Sequence, residues 1–370
     1  MLLGIIVSSP MQRAIELAQS LAGVARPNPT VAAVLFKDGE IISEGTTEPG
    51  GAHAEVVAIR KAGENAKGST LYVTLEPCCH YGKTPPCTDA VISAGIESVH
   101  IAILDPNPLI AGQGMQLLES SGITTFLGAG KEIAQILYET HAKYITLGTP
   151  FVTAKYAMSL DGKIATHSSS SQWITGPEAR QYAHMLRGSS DAVAIGIGTA
   201  VADDPLLTVR TEQGVPFPEQ PVRVVVDTGG RLPSVSRMLY QPGKTIIACS
   251  SIAPGKKLVL EEFGAEILEL NSYGEGVDLL ELLKRLGAME ITSILVEGGS
   301  TLLGSLFDQN LVDKVVAFVA PKIIGGKNAL TAIGGEGVNL IDEAIDIQVT
   351  EMKWLGTDMV IQGYPGGGHV

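Results

Sequence analysis

The sequence predicts two α/β domains that meet near residue 149. The chain has 370 residues, a length that suits two domains better than one. Apolar segments of strand length alternate with segments of helical periodicity, a pattern typical of sheets covered by helices. This pattern restarts at Gly148-Thr149-Pro150, where a new strand segment begins. We therefore assign residues 1–149 and 150–370 to separate domains.

Local signals place the elements of the first domain. Ser9 before Pro10 marks a helix start and Gly23 its end. The turn Asp38-Gly39, between two apolar segments, predicts a β-hairpin over residues 30–45. Further strands are expected at LYVTL, SVHIAIL and ITTFL, and helices from about residues 53 and 86, near 112–121 and over roughly 130–147.

The second domain is predicted to be richer in strands. It opens with PFVTAKYAMSLDGKIAT, and helical stretches separate several of the later strands. These strands are expected at DAVAIG, VRVVVD, KTIIACS, AEILEL, SILVEG and KVVAFVA. The terminal segment YPGGGHV is expected to be a frayed tail.

Charge and cysteine content narrow the classes of function. The net charge of −13 disfavours a nucleic-acid partner, because such binding depends on many Lys and Arg contacts. Three of the four cysteines lie within ten residues, which indicates a metal site in a reducing, cytoplasmic compartment rather than a disulfide framework. The N-terminus lacks the basic region of a signal peptide, and no apolar stretch is long enough to span a membrane.

Two segments together predict a catalytic zinc site. HAEV (53–56) supplies His53 and Glu55, and TLEPCCHYGKTPPC (74–87) supplies Cys78 and Cys87. One imidazole and two thiolates leave a fourth zinc position open for water, whose pKa the metal lowers to about 7. Glu55 is then expected to move protons between that water and the departing amine.

The pattern H-x-E…P-C-x-x-C is typical of zinc deaminases, and this chain differs by having eight residues between its two cysteines. We expect the intervening HYGKTPP to form a loop, with Cys87 in the first turn of the next helix, where the helix N-terminus favours a thiolate. Cys79 and His80 are rival ligands. Cys249 lies in an apolar strand and is expected in the core.

The residues also resemble a known family along nearly the whole chain. PNPTV (27–31), HAEV, TLEPCxHYGKTPPC, DPNP (105–108) and AGQG (111–114) are similar to the deaminase half of the bifunctional riboflavin-biosynthesis deaminase/reductase. SLDGKIA (159–165), SQWIT (171–175), the stretch 196–210, VEGG (296–299) and APKIIGG (320–326) are similar to its reductase half. The resemblance implies a cytidine-deaminase-like α/β/α sandwich followed by a dihydrofolate-reductase-like α/β domain.

The resemblance also implies two successive reactions on one compound. The first is zinc-dependent hydrolytic deamination of 2,5-diamino-6-ribosylamino-4(3H)-pyrimidinone 5′-phosphate. The second is NADPH-dependent reduction of the ribosyl chain to ribityl. The implied partner is thus a small phosphorylated pyrimidine, with no nucleic acid and no membrane, and a homo-oligomer is compatible with the sequence.

In the first domain the resemblance implies substrate contacts at four residues: Asn28, Lys83, Asp105 and Asn107. Lys83 is a cation suited to the substrate phosphate, and we favour this role over the alternative of a solvated loop charge. The family's pattern has a His shortly before HAE, in the order G-x-H, where this chain has Gly45-Thr46-Thr47. Thr47 forms hydrogen bonds but carries no positive charge.

In the second domain VEGGSTLLGSLF places a Gly-rich turn between a strand and a helix, which suits a pyrophosphate without being a Rossmann G-x-G-x-x-G motif. The resemblance implies cofactor contacts at Ala157, Trp173, Thr199, Asp203, Thr228, Gly299, Ser300, Thr301, Leu302, Leu303, Gly304 and Ser305. Arg231 stands near Thr228, which is assigned to the 2′-phosphate of NADPH. Implied substrate contacts are Lys155, Ser171, Arg187, Leu207, Arg210 and Glu297. The forked guanidinium groups of Arg187 and Arg210 suit a phosphate.

Two rival interpretations remain open on the sequence. One is a zinc deaminase of a nucleoside or of an RNA base, with an unrelated C-terminal half. The other is a non-catalytic protein in which zinc only holds a loop. The acidic charge and the long insert before Cys87 disfavour the first, and Glu55 beside an open coordination position disfavours the second.

Overall fold

The computed structural model describes residues 9–21, 23, 26–82, 85–211 and 214–366. The chain divides into two compact units, Met1–Leu147 and Gly148–His369. Lys83 lies outside the described residues, so the expectation placed on it has no structural description. No helix in the described ranges is both long and apolar enough to cross a membrane.

The first unit is built from helices and strands in near alternation. Its helices are α1 (Pro10–Ser20), α2 (Ala54–Ala62), α3 (Cys87–Ser93), α4 (Gln113–Ser120), α5 (Lys131–Leu137) and α6 (Glu139–Leu147). Its strands are β1 (Ala32–Lys37), β2 (Glu40–Thr46), β3 (Thr70–Val73), β4 (Ser98–Ile101) and β5 (Thr124–Leu127).

The five strands form one sheet in the order β2-β1-β3-β4-β5. The predicted hairpin is confirmed, because β1 and β2 are antiparallel with Lys37 opposite Glu40. Strand β3 is antiparallel to β1, whereas β3, β4 and β5 are parallel. Leu35 packs with α2 on one face and Val34 with α1 on the other, since successive side chains of a strand point to opposite faces. The predicted α/β/α sandwich is therefore confirmed.

The prediction of one long helix over 130–147 is wrong, because the helix is interrupted at Tyr138. It ends α5 with φ −105°, and a new helix begins at Glu139. The Tyr138 side chain is buried, and its hydroxyl lies 2.5 Å from Thr74 Oγ1. This core contact joins segments far apart in the chain, so helical periodicity alone did not reveal the break. Helix α1 likewise ends at Ser20, before the predicted stop at Gly23.

The second unit contains a larger sheet. Its helices are α7 (Pro177–Gly188), α8 (Ile197–Asp203), α9 (Pro254–Glu262), α10 (Leu279–Ala288) and α11 (Ser300–Asp308). Its strands are β6 (Phe151–Ser159), β7 (Ala192–Gly196), β8 (Val222–Val226), β9 (Thr245–Cys249), β10 (Ala265–Glu269), β11 (Ser272–Tyr273), β12 (Gly276–Val277), β13 (Ser293–Glu297), β14 (Lys314–Ala320), β15 (Ile347–Leu355) and β16 (Asp358–Pro365).

Nine of these strands form a sheet in the order β10-β9-β8-β7-β13-β6-β14-β16-β15. The first seven are mutually parallel, so their carboxyl ends share one edge. All six strands predicted after β6 are present. The closing antiparallel hairpin of β15 and β16 was not predicted. Tyr364 of β16 is buried, so the expectation of a frayed tail is wrong at this residue, and residues 367–370 lie outside the described residues.

Candidate active sites

Three side chains of the first unit converge on a metal-sized space. His53 precedes α2 as its N-cap, Cys78 follows β3, and Cys87 is the first residue of α3. His53 Nδ1 lies 3.2 Å from Cys87 Sγ and 3.5 Å from Cys78 Sγ, and the three donor atoms lie within 4.8 Å of one another. Zn–S and Zn–N bonds of ordinary length in a tetrahedron would place such atoms about 3.6 Å apart. The donor set and its spacing therefore fit zinc.

The N-terminus of α3 acts on Cys78 rather than on Cys87. The Cys87 backbone N–H donates to Cys78 Sγ at 3.3 Å. Hydrogen bonding from Cys87 lowers the pKa of Cys78 to about 4. The neighbouring Cys78 sulfur and burial raise the pKa of Cys87. The helix N-terminus was expected to favour a thiolate at Cys87. It favours one at Cys78 instead, because the loop places the Cys78 sulfur next to the first backbone N–H of the helix.

Glu55 stands beside these ligands in the first turn of α2. Its side chain is only 3% exposed, and burial raises its pKa to about 7. The thiol of Cys87 and the ring of His53 are among the groups that interact with it. A carboxyl group with a pKa near neutrality both gives and takes protons readily.

The rival ligands lie outside this group. Cys79 is half-buried and His80 is exposed. His53, Cys78 and Cys87 form the only His, Cys, Asp or Glu group suited to a metal within the ranges that the structure covers. Cys249 is fully buried in β9, which confirms its expected place in the core.

Zinc content provides a direct test of the ligand set. Replacing Cys78 with Ser is expected to reduce bound zinc from about one ion per chain to nearly none, because two donors rarely retain the metal. Cys79→Ser is the matched control and should retain full zinc. Metal analysis of both purified variants checks this, and zinc retained by Cys78→Ser would show that Cys78 is not a ligand.

The predicted substrate residues of the first unit lie in two loops. Asn28 is exposed in the loop before β1. Asp105 and Asn107 follow β4, where Asp105 Oδ1 accepts from the Asn107 N–H at 2.8 Å and Asn107 Oδ1 from the Leu109 N–H at 3.1 Å. The Thr47 hydroxyl accepts from the Val31 N–H at 3.1 Å. Part of the hydrogen-bonding capacity of Asp105, Asn107 and Thr47 is therefore used within the chain.

Two residues of this region escaped the sequence interpretation. Glu76 is buried and accepts from the backbone N–H groups of Asp105, Gly112 and Met115. The acidic residue between the apolar Leu75 and Pro77 was the available signal for this role. His141 of α6 has a buried Nδ1 without a partner among the described residues and interacts with Asp105, and no sequence signal marks it.

The Gly-rich turn of the second unit connects β13 with α11. Gly298 and Gly299 adopt φ of 74° and 86°, a region that favours glycine. Leu302 and Leu303 are buried in the core. A Cβ on Gly304 would lie 2.3 Å from the Gly334 backbone. The side chains of Leu302 and Leu303 therefore face the core, whereas Gly299, Ser300 and Thr301 are partly or fully exposed. The cofactor contacts expected at Leu302, Leu303 and Gly304 stay a prediction.

Other predicted cofactor residues lie around the same edge. A Cβ on Gly299 would stand 3.2 Å from Thr199 Oγ1, so α8 and α11 begin side by side. The hydroxyl of Ser171 donates to Asp203 Oδ1 at 2.9 Å. Trp173 is 64% exposed, with the Arg180 guanidinium 4.6 Å from its ring centre. This exposure shows that Trp173 is not a core residue.

Four further residues belong to the predicted cofactor site or lie near it. Ala157 lies in β6 and is partly buried. The carbonyl of Thr228, just after β8, accepts from the backbone N–H groups of Ser250 and Ser251. Arg231 is 69% exposed on its side chain and lies 3.8 Å from the buried carboxylate of Asp227. Ser305 is partly buried in α11.

A buried ion cluster lies at the carboxyl end of β13. Arg187 of α7 donates from Nε to Glu297 Oε1 and from Nη2 to Glu297 Oε2 at 2.9 Å. Lys155 Nζ stands 3.7 Å from the same carboxylate. Glu297 therefore occupies the Nε and Nη2 edge of Arg187, and the expected contact of Arg187 with the phosphate stays a prediction. Arg210 Nε donates to Thr208 Oγ1 at 2.6 Å, and Leu207 beside them is buried.

The stability of the second unit is expected to depend on pH through Glu297. Burial acts to raise the pKa of Glu297, but Arg187 and Lys155 outweigh it and lower the pKa to about 2. A depressed carboxyl pKa contributes stability above the unfolded value near 4.3, which is lost as pH falls through 2. The wild type should therefore exceed Glu297→Gln by roughly 3 kcal/mol at pH 7.

Denaturant unfolding of both forms at pH 7, 4 and 3 measures this difference. It should shrink below pH 4, because the carboxyl group of the unfolded chain takes up a proton there, whereas the native carboxylate, with a pKa of about 2, does not. A difference that stays constant over this range would contradict the role of the ionised carboxylate.

Asp161 of the motif SLDGKIA connects two loops at the carboxyl edge of the parallel strands. Asp161 accepts from the Ser159 hydroxyl at 2.6 Å and from the N–H groups of Ile324 and Gly325 at 3.0 and 2.7 Å. These bonds lower the pKa of Asp161 to about 2. The loop after β6 is thereby attached to the loop after β14, which carries APKIIGG.

The two halves of the chain match two known domain families. Residues 7–103 match the cytidine and deoxycytidylate deaminase zinc-binding region, and residues 150–361 match the RibD C-terminal domain. The chain belongs to the RibD family. The riboflavin biosynthesis protein RibD of Aquifex aeolicus is 43% identical over 95% of this chain and 96% of its own length. The Escherichia coli RibD is 38% identical over 95% and 97%.

Solved RibD structures share the fold. Acinetobacter baumannii RibD superposes with a TM-score of 0.85 at 36% identity, covering 96% of this chain and 98% of that one. The Thermotoga maritima diaminohydroxyphosphoribosylaminopyrimidine deaminase/5-amino-6-(5-phosphoribosylamino)uracil reductase superposes with a TM-score of 0.83 at 36% identity, covering 96% and 97%.

The chain is thus a bifunctional deaminase/reductase of riboflavin biosynthesis, with zinc and NADPH as cofactors. The predicted family, fold, activities and cofactors are confirmed. The RibD C-terminal match overturns the rival with an unrelated C-terminal half, and an enzyme of this family is not a non-catalytic zinc protein.

Proposed function

We propose that residues 1–149 deaminate 2,5-diamino-6-ribosylamino-4(3H)-pyrimidinone 5′-phosphate and that residues 150–370 then reduce its ribosyl chain. The group of His53, Cys78 and Cys87 with Glu55 beside it carries the first assignment. The zinc that these three side chains would hold would act as a Lewis acid and lower the pKa of a bound water molecule to about 7.

Glu55 moves the protons of the deamination. The oxygen of water bonds to the amino-bearing ring carbon, and Glu55 takes one water proton and passes it to the adjacent ring nitrogen. Glu55 then carries the second proton to the amino group, the C–N bond breaks, and ammonia leaves. The buried carboxyl suits both transfers because its pKa is about 7.

The loops around this site select the substrate. Asn28, Asp105 and Asn107 supply polar groups for the pyrimidine and ribose, and Lys83 supplies a cation for the phosphate. The Thr47 hydroxyl, which already accepts from Val31, offers no charge, so the phosphate depends more heavily on Lys83 than in relatives that carry the G-x-H pattern.

The second unit holds NADPH along the carboxyl edge of its parallel strands. Bound there, NADPH supplies a hydride to C1 of the opened ribosyl chain. We assign pyrophosphate binding to the backbone N–H groups of Gly299, Ser300 and Thr301, because these precede or begin α11. Ala157, Trp173, Thr199, Asp203 and Thr228 complete the assigned cofactor contacts.

Substrate contacts in this unit come from side chains at the same edge. Arg210 meets the phosphate, and Ser171, Leu207 and Glu297 border the ribosyl chain. Burial lowers the pKa of Lys155, so its ammonium group is a readier donor of the proton that accompanies the hydride. Arg187 holds Glu297 in place through its two hydrogen bonds.

The remaining assignments follow from charge and composition. A net charge of −13 supports an enzyme that works on a small molecule without nucleic acid. Reduced cysteines support a cytoplasmic location. The chain is compatible with a homo-oligomer.

Two assays on the purified, zinc-loaded protein test the function. Supplied with the diaminopyrimidine phosphate, the protein should release one ammonia per substrate. Supplied with the deaminated intermediate and NADPH, it should oxidise NADPH, which is measured as a fall in the absorbance of the cofactor. If no ammonia is released while NADPH is oxidised, the deaminase assignment is contradicted. If NADPH is not oxidised while ammonia is released, the reductase assignment is contradicted.

A further inference from the structure

His184 lies on α7 one turn before Arg187, so the two side chains leave the same face of the helix. The Nδ1 atom of His184 is buried and has no hydrogen-bond partner among the described residues. Buried polar atoms in folded proteins nearly always have a partner. An unpartnered one therefore needs an explanation.

The surroundings of His184 are those of the proposed reductase substrate site. Its ring interacts with the charges of Arg187, Arg210 and Glu297 and hydrogen-bonds to the backbone of Thr208. Arg187 Nη1 lies 3.5 Å from the same Thr208 carbonyl, and Arg210 Nε donates to the Thr208 hydroxyl at 2.6 Å. His184 thus belongs to the cluster that borders the ribosyl chain and its phosphate.

The proton on the ring can be located from these contacts. A carbonyl oxygen only accepts, so the ring nitrogen that faces Thr208 carries hydrogen. Because Nδ1 has no partner, that nitrogen is Nε2. Burial, followed by the charges of Arg187 and Arg210, lowers the pKa of His184. The ring therefore holds one proton, and Nδ1 presents a lone pair.

The hydrogen bonds of the two neighbouring arginines go to other acceptors. Arg187 donates from Nε and Nη2 to Glu297, and Arg210 donates from Nε to Thr208. A ligand can supply a donor in their place. Hydroxyl groups of a ribosyl chain donate hydrogen bonds, whereas a phosphate dianion only accepts them.

We propose that His184 contacts the substrate of the reductase site, with Nδ1 accepting a hydrogen bond from a hydroxyl group of the ribosyl chain. This inference rests on the proposed reductase function. It divides recognition between two residues: Arg210 binds the phosphate, and His184 recognises the hydroxyl-bearing chain that is reduced.

Two substitutions of His184 distinguish the roles of its two ring nitrogens. Asn places a side-chain oxygen near the position of Nδ1, and Gln places its amide near that of Nε2. His184→Asn should keep kcat/KM for the deaminated intermediate within about threefold of wild type. His184→Gln should lower it about 10- to 100-fold, mainly through KM. Met185→Asn, on the exposed side of α7, controls for Asn in this helix and should behave as wild type.

The other outcomes overturn the inference. Retained activity in His184→Gln with loss in His184→Asn would assign His184 to positioning Thr208. Wild-type behaviour in both variants would remove His184 from the site. Loss in both, with unchanged melting temperature, would show that the ring matters and the Nδ1 acceptor does not. If the wild type fails to oxidise NADPH with the intermediate, the proposed function fails first.

A measurement on the unaltered enzyme avoids any folding defect of the variants. In protein with ¹⁵N-labelled histidine, ribose 5-phosphate should shift the Nδ1 resonance of His184 toward that of a hydrogen-bonded nitrogen. Inorganic phosphate at pH 8 should not. The proposal is contradicted if the Nδ1 chemical shift stays unchanged at saturating ribose 5-phosphate, or if both ligands shift it equally.

Discussion

Glu55→Gln is expected to lower the rate of ammonia release by about 10²- to 10⁴-fold, the usual contribution of a positioned general acid–base group. The amide has nearly the shape of the carboxyl group but does not carry a proton between water and the leaving amine. Zinc content should stay at the wild-type level, because Glu55 lies beside the three ligands without belonging to their group.

Two measurements make this result specific. NADPH oxidation with the deaminated intermediate should be unchanged in Glu55→Gln, since the proposed reductase residues all lie in the second unit. Glu64→Gln, at an exposed position in the first unit, should leave both reactions intact. A Glu55→Gln enzyme that still releases ammonia at the wild-type rate would remove Glu55 from the mechanism.

Arg187→Met is expected to destabilise the second unit by about 3–5 kcal/mol, because it leaves the buried carboxylate of Glu297 without its main partner. Lys155 is a second cation near that carboxylate, at 3.7 Å. The melting temperature of this unit should fall by roughly 10 °C, and calorimetry of the full chain should show the first unit melting as before.

The double variant Arg187→Met/Glu297→Met supplies the comparison. A buried ion pair replaced by apolar side chains of similar size is often no less stable, and a buried Lys155 can release its proton when its partner is gone. Most of the lost stability should therefore return, whereas NADPH oxidation should not. Equal destabilisation in the single and double variants would show that the charge left unpaired is not the cause.

The zinc site was predictable because its chemistry depends on residue types at short spacings. His53 and Glu55 begin one helix, and Cys87 begins another. Helix starts leave local signals, so the sequence placed these groups at two helix N-termini before any distance was known. Lys83 had the same kind of local support, and its assignment stays a prediction because the residue lies outside the described ranges.

The second unit was less predictable in detail. The Gly-rich turn after β13 could be recognised, but the inward direction of Leu302 and Leu303 depends on how α11 packs on the sheet. The same holds for the fork of Arg187. Its partner Glu297 is 110 residues away, and strand order decides that the two meet.

The sequence by itself determined the family and the two α/β domains, and it predicted the zinc ligands and the acid–base residue, because each is encoded in contiguous motifs or in periodicity along one segment. Only the tertiary structure decided which polar groups are already paired: Arg187 with Glu297, Thr47 with Val31, and His184 with one ring nitrogen left over. Pairing depends on distances between segments that are remote along the chain, and these distances exist only after the sheets have formed.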